Sequence, residues 1–138
     1  MLLPWHIYEE AEADGVGVHF LPMESLRSLS VPGHMAIDPG RLPTTAEETT
    51  AAAHELGHVN TGSFYNIYSP CDDRRRCENQ ADRAAILRHI DREELLGLLR
   101  RGVTQPWELS EHFGFTEDFM RKAVCLYTQG NLDPEEFL

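Results

Sequence analysis

Two histidines four residues apart, in the run His54-Glu55-Leu56-Gly57-His58, constrain this chain more than any other feature. Residues four apart lie on the same face of a helix, so both imidazoles can reach one metal ion about 2.0–2.1 Å from each nitrogen. Glu55 is turned by about 100° on the same helix, where its carboxylate can accept a proton from an attacking water. The spacing therefore predicts a helix that carries two metal ligands and a general base.

The residues around this run predict a well-defined helix over about 45–60. Thr45-Ala46-Glu47-Glu48 fits a capping box at its start, and Gly62 is a natural stop at its end. Gly57 lies inside the helix, where glycine costs about 1 kcal/mol relative to alanine. We therefore expect another backbone or a substrate to approach Gly57 closely.

Two carboxylates further along the chain can complete the site. Glu78 and Asp82 are four residues apart on a second predicted helix, over about 73–89. A catalytic zinc takes three protein ligands and leaves one position open, so Glu78 is the expected third ligand. Asp82 is expected to accept the other ring N–H of a ligating histidine, which fixes the tautomer. The alternative is an exposed acidic pair that binds nearby arginines, among them Arg74, Arg75 and Arg83.

The remaining patterns predict a single α+β domain over 1–138, with a small sheet first and helices after it. The predicted elements begin with a helix in the first dozen residues and strands at Val16–Phe20 and Met35–Asp38. Helices follow at about 73–89, capped by Asp72 or Asp73, at 91–102, from a start at Thr104-Gln105-Pro106, and at 116–127. The helices over about 104–127 are expected to be an integral part of the domain.

Charge and composition exclude several classes of partner. The net charge is −11, from 23 acidic and 12 basic residues, and such a surface repels phosphate backbones. The two tail helices resemble helix-turn-helix spacing, but the second begins Glu117-Asp118, so a DNA-binding regulator is disfavoured and the apolar tail residues are expected to be core. No apolar run approaches the roughly 18 residues of a membrane span, and no secretory signal is visible, so we expect a cytoplasmic protein.

The three cysteines, Cys71, Cys77 and Cys125, argue against a disulfide framework because their number is odd. Cys71 and Cys77 could serve a second metal, but their spacing is not a familiar one. Loop or core thiols are the preferred interpretation.

The run His54 to His58, followed after nineteen residues by Glu78 and then Asp82, resembles the thermolysin-like glutamate zincins. More closely, it resembles the ImmA/IrrE family of metallopeptidases of bacteria, phages and mobile elements. That family's signature is HELGH followed by a helix of the form E-x-x-A-D/N-x-x-A, which Glu78 to Ala85 supply here. The resemblance extends from about Ile37 to Tyr127. The Cys71 to Cys77 stretch and Ala84, where members often carry an aromatic residue, depart from the family pattern.

The resemblance implies a zincin-like fold and a zinc-dependent endopeptidase that cleaves a helix-turn-helix repressor of a phage or mobile element. Tyr65 and Tyr68 are candidate donors to the oxyanion, with packing tyrosines as the alternative. A substrate strand is expected to pair with an exposed sheet edge near Met35 to Asp38. The rival hypothesis is a non-hydrolytic anti-repressor that retains the metal site and binds its partner without cutting it.

Overall fold

The computed structural model describes residues 1–132 and shows an α+β architecture. That part of the chain contains six α-helices and one three-stranded mixed sheet. In chain order the elements are α1 Pro4–Ala13, β1 Gly17–Phe20, β2 Ser28–Val31, β3 His34–Ile37, α2 Thr45–Thr61, α3 Cys71–His89, α4 Arg92–Arg100, α5 Pro106–Phe113 and α6 Glu117–Gln129. Within these residues no helix is both long and apolar enough to cross a membrane.

The sheet has the strand order β1-β3-β2, with β1 parallel and β2 antiparallel to β3. The predicted strands correspond to β1 and β3, whereas β2 was not predicted, because its four residues include two serines and give only a weak apolar pattern. β3 is the central strand and is largely buried. The expectation of an exposed edge near Met35 to Asp38 is therefore wrong, because β3 already has a partner on each side. The edge that packs beside α2 is β2.

Helix α2 begins one residue earlier than the capping pattern indicated. Thr44 is the N-cap, and its hydroxyl accepts the Glu47 N–H at 3.1 Å. Thr44 and Thr45 are each followed three residues later by a glutamate, so the sequence pattern fits both registers equally. The helix ends at Gly62, as predicted, with a φ of 65° that favours glycine.

Helix α3 begins without a side-chain cap, so the prediction that Asp72 or Asp73 caps it is wrong. The carbonyl of Pro70 accepts the N–H groups of Asp73 and Arg74 at 3.0 and 3.1 Å. Asp72 and Asp73 instead lie in the first turn, where their charges interact favourably with the helix dipole.

Helices α2 and α3 pack closely at Gly57. A Cβ atom at this position would overlap the carbonyl oxygen of Ala81, which confirms that a neighbouring backbone requires glycine here. Ala52, Ala53 and Leu56 are buried on α2 around this contact. The close packing sets the histidines of α2 opposite the carboxylates of α3.

The α5–α6 hairpin contributes to the same core, as the sequence predicted. Its large apolar side chains are almost completely buried, namely Leu109, Phe113, Phe115, Phe119 and Met120. These residues belong to the same buried cluster as apolar residues of α1, α2 and α3.

We predict that Gly57→Ala lowers the free energy of unfolding by about 1–3 kcal/mol, because an added methyl group forces α2 and α3 apart. Gly97→Ala is the matched control, since Gly97 lies inside α4 with nothing within 4 Å of an added Cβ. That change should stabilise the protein by about 0.5–1 kcal/mol through helix propensity. Urea denaturation measures both, and a Gly57→Ala protein as stable as the wild type would contradict the packing argument.

Candidate metal centre

Three side chains from α2 and α3 converge on one point. His54 Nε2 lies 3.1 Å from His58 Nε2 and 2.8 Å from one Glu78 carboxylate oxygen, and His58 Nε2 lies 3.1 Å from the other. Ligands bound tetrahedrally at about 2.0–2.1 Å would be about 3.3 Å apart, so these separations are close to those of a zinc site. Within residues 1–132, this is the one group of three or more potential ligands close enough to hold a metal ion.

Each imidazole is oriented by a hydrogen bond from its other nitrogen. His54 Nδ1 lies 2.7 Å from a carboxylate oxygen of Asp82, and His58 Nδ1 lies 2.6 Å from the carbonyl oxygen of Ser63. Both partners are acceptors, so each Nδ1 carries the proton and each Nε2 points toward the shared point. Asp82 thus occupies the position predicted from the sequence, whereas the Ser63 carbonyl has no side-chain signal by which it could be found.

The charges around this point favour a cation. Burial by itself lowers the pKa of His54, but hydrogen bonds to the Asp82 and Glu78 carboxylates outweigh it and raise that pKa to about 10. Burial raises the pKa of Glu78, but hydrogen bonds to His54 and His58 hold it well below its usual range. A proton on His54 supplies part of the positive charge that balances the Glu78 and Asp82 carboxylates. A divalent ion bound by two imidazoles and a carboxylate would supply it fully. The donor set therefore fits zinc.

Asp82 is held on its other side by Lys122. The Lys122 ammonium donates to the second carboxylate oxygen of Asp82 at 2.8 Å. Burial raises the pKa of Asp82, but hydrogen bonds to His54 and Lys122 lower it overall. Lys122 is the single lysine of the chain and lies on α6, forty residues from Asp82. No local sequence pattern pairs these two residues, yet this contact ties the C-terminal hairpin to the candidate metal centre.

Glu55 lies beside the metal ligands with only 7% of its surface exposed. Its two carboxylate oxygens accept hydrogen bonds from the hydroxyls of Ser28 and Ser30, at 2.6 and 2.8 Å. Neither serine was a candidate from the sequence, because the strand that carries them was not predicted.

A cleft of about 570 Å³ opens over the centre. The cleft is lined by the three candidate ligands and Glu55. Apolar side chains from β2, from the segment before it and from the loop after α2 also line it, namely Leu26, Leu29, Phe64, Tyr65 and Ile67. The cleft therefore combines polar groups at the candidate metal centre with apolar lining residues.

The two candidate tyrosines differ in position. Tyr65 is 44% exposed and lines the cleft, with the Arg74 guanidinium 5.8 Å from its ring centroid. Burial and the neighbouring Glu78 carboxylate raise the pKa of Tyr65. Tyr68 is 88% exposed and is not among the residues that line the cleft, so the structure does not bring it to the site.

The structure shows the surroundings of the two acidic residues on α3 and of the three cysteines. Glu78 and Asp82 contact His54, His58 and Lys122, so they are not an exposed pair matched with arginines. Cys71 is exposed, Cys77 is half-buried and Cys125 is buried.

No protein-family model, curated protein or solved structure matches this chain. The geometry of the metal centre is thus the main basis for a functional proposal.

We predict that Asp82→Asn weakens zinc binding by about 10–100-fold, because the neutral amide no longer holds the His54 Nδ1–H as a carboxylate does. Asp118→Asn is the matched control, since Asp118 is exposed on α6 and pairs with Arg121. Competition against a zinc chelator measures both affinities. Equal affinities of Asp82→Asn and the wild type would show that this hydrogen bond does not support the site.

Proposed function

We propose that this protein is a zinc-dependent endopeptidase with a zincin-like fold. The observation that supports this most strongly is the convergence of His54, His58 and Glu78 in a cleft that Glu55 also lines. Two imidazoles and one carboxylate leave a fourth position open on a tetrahedral zinc ion, which is the arrangement of hydrolytic rather than structural zinc sites.

Each residue has a distinct role in the proposed reaction. When bound, zinc supplies Lewis acidity toward water and toward the scissile carbonyl group. His54, His58 and Glu78 hold the ion, and Asp82 orients His54. Glu55 accepts a proton from the attacking water at a carboxylate oxygen and then returns it to the leaving nitrogen. The Tyr65 hydroxyl is the proposed donor to the developing oxyanion, because it is the candidate tyrosine that lines the cleft.

The shape of the cleft favours a polypeptide over a small molecule. β2 runs along the cleft as an edge strand, and extended peptides commonly bind by adding a strand to such an edge. The apolar walls formed by Leu26, Leu29 and Ile67 would accept apolar side chains of that peptide. We therefore assign substrate pairing to β2 in place of the Met35 to Asp38 segment.

The proposed substrate class is a helix-turn-helix repressor of a phage or mobile element. The resemblance of the two motif helices to the ImmA/IrrE family supports this choice. The net charge of −11 agrees with it, because an acidic protein associates faster with a basic partner such as a DNA-binding protein. The proposed location is the cytoplasm, where such repressors act. We propose no direct contact with nucleic acid.

We predict that Glu55→Gln abolishes cleavage, with a rate at least about a hundredfold below wild type, because glutamine cannot accept the proton. Zinc content should stay at the wild-type level, since Glu55 is not a ligand. Glu12→Gln, at an exposed position on α1, is the control and should cleave normally. The assay follows fragments of a panel of helix-turn-helix repressors and of casein by mass spectrometry.

Cleavage by Glu55→Gln at the wild-type rate would contradict the assigned mechanism. A zinc-loaded wild type that binds a repressor tightly and leaves it intact would favour the non-hydrolytic anti-repressor instead.

A further inference from the structure

The carboxylate of Glu55 is held on both of its oxygens by one strand. Ser28 Oγ donates to Oε2 at 2.6 Å, and Ser30 Oγ donates to Oε1 at 2.8 Å. Ser28 and Ser30 are two residues apart on β2, so their side chains leave the same face of the strand. We refer to these two residues as the serine pair.

The serine pair replaces water around a buried charge. Glu55 is only 7% exposed as a residue, so its carboxylate needs hydrogen-bond donors in place of solvent, and the serine pair gives one donor to each oxygen. Two bonds on opposite oxygens also fix rotation about the terminal bond of the side chain, which is otherwise broadly distributed in glutamate. The orientation of the Glu55 carboxylate is therefore set by β2.

The serine pair leaves Glu55 able to accept a proton. A carboxylate offers about four acceptor positions, and the two hydroxyls fill one on each oxygen. Ser28, Ser30 and Glu55 all line the cleft that contains His54, His58 and Glu78. Each oxygen thus keeps an acceptor position that the serine pair does not fill.

The backbone of the serine pair faces the open edge of the sheet. The Arg27 carbonyl accepts the Asp38 N–H at 2.9 Å, and in the observed register hydrogen-bonded pairs recur at every second residue. That alternation directs the N–H and C=O groups of Ser28 and Ser30 away from β3. A peptide added to this edge would therefore bond to the same two residues that hold Glu55.

We propose that Ser28 and Ser30 are positioning residues that hold Glu55 in the orientation needed to accept a proton from the attacking water. This inference rests on the proposed function. It differs from a purely structural role, in which the two hydroxyls only attach β2 to α2 and the orientation of Glu55 has no effect at the metal centre.

The test uses acetohydroxamate as a probe of Glu55 in the zinc-loaded protein. A hydroxamate binds zinc through two oxygens and gives a hydrogen bond to a neighbouring carboxylate, so its affinity reports the orientation of that carboxylate. Zinc content and the acetohydroxamate dissociation constant are measured for the wild type, Ser28→Ala, Ser30→Ala and the double variant. Ser25→Ala is the control, since Ser25 is exposed on the segment just before β2.

We expect zinc content to stay at the wild-type level in all of these variants. Acetohydroxamate should bind about tenfold more weakly to each single alanine variant and about a hundredfold more weakly to the double variant. These factors correspond to the loss of one or of both of the hydrogen bonds that hold the Glu55 carboxylate in place for the probe. Threonine at both positions retains the hydroxyls and should restore binding. In a Glu55→Gln background the alanine changes should have little further effect, because the serine pair acts through Glu55.

A double alanine variant with wild-type zinc content and wild-type acetohydroxamate affinity would overturn this inference and leave the proposed function standing. If the double variant does not fold, single variants with wild-type zinc content and wild-type acetohydroxamate affinity would overturn the inference in the same way. A wild type that takes up no zinc, or that binds zinc without binding acetohydroxamate, overturns the proposed function and this inference with it.

Discussion

Three potential metal-binding side chains meet between α2 and α3, and their convergence favours a positive charge at one point. Two imidazole nitrogens and a carboxylate lie within 3.1 Å of one another, with a second carboxylate directly behind. Two carboxylates this close together in a partly buried site are stabilised by positive charge, which a protonated imidazole or a bound metal ion can supply. The close contact at Gly57 brings the two helices near enough for the donors to meet. The Asp82 and Glu78 carboxylates raise the pKa of His54 and so favour a proton on it, with which a divalent ion would compete, so metal binding and proton release should be linked.

The rest of the fold supports this centre from three directions. The loop after α2 contributes the Ser63 carbonyl, which orients His58. The C-terminal hairpin contributes Lys122, which holds Asp82 and through it His54. The edge strand β2 contributes the serine pair, which holds Glu55. One of these contacts holds a candidate ligand, His58, directly, and the other two hold Asp82 and Glu55, which lie beside the candidate ligands.

Local sequence rules predicted much of the fold and the central residues of the site. The four-residue spacings in His54-Glu55-Leu56-Gly57-His58 and from Glu78 to Asp82 depend only on helix periodicity, and Gly57 marked a close helix contact. β2 was not predicted because its four residues include two serines and give little periodic signal. Without β2, the Met35–Asp38 strand was expected at an edge of the sheet, whereas it is the central strand. The pairing of Lys122 with Asp82 joins residues forty apart in the chain, and the contact from Ser63 to His58 is made by a backbone carbonyl group. Neither kind of contact has a local signature. The zincin-like fold itself remains a prediction.

The central claim is that His54, His58 and Glu78 together bind one zinc ion. Elemental analysis of the purified protein, after zinc loading at neutral pH and removal of free metal, tests it most directly. The account predicts about one zinc per wild-type chain and a clear loss in Glu78→Ala, because two imidazoles alone leave the ion underliganded. A folded wild type that retains no zinc would contradict the account, and so would a Glu78→Ala protein that retains as much zinc as the wild type.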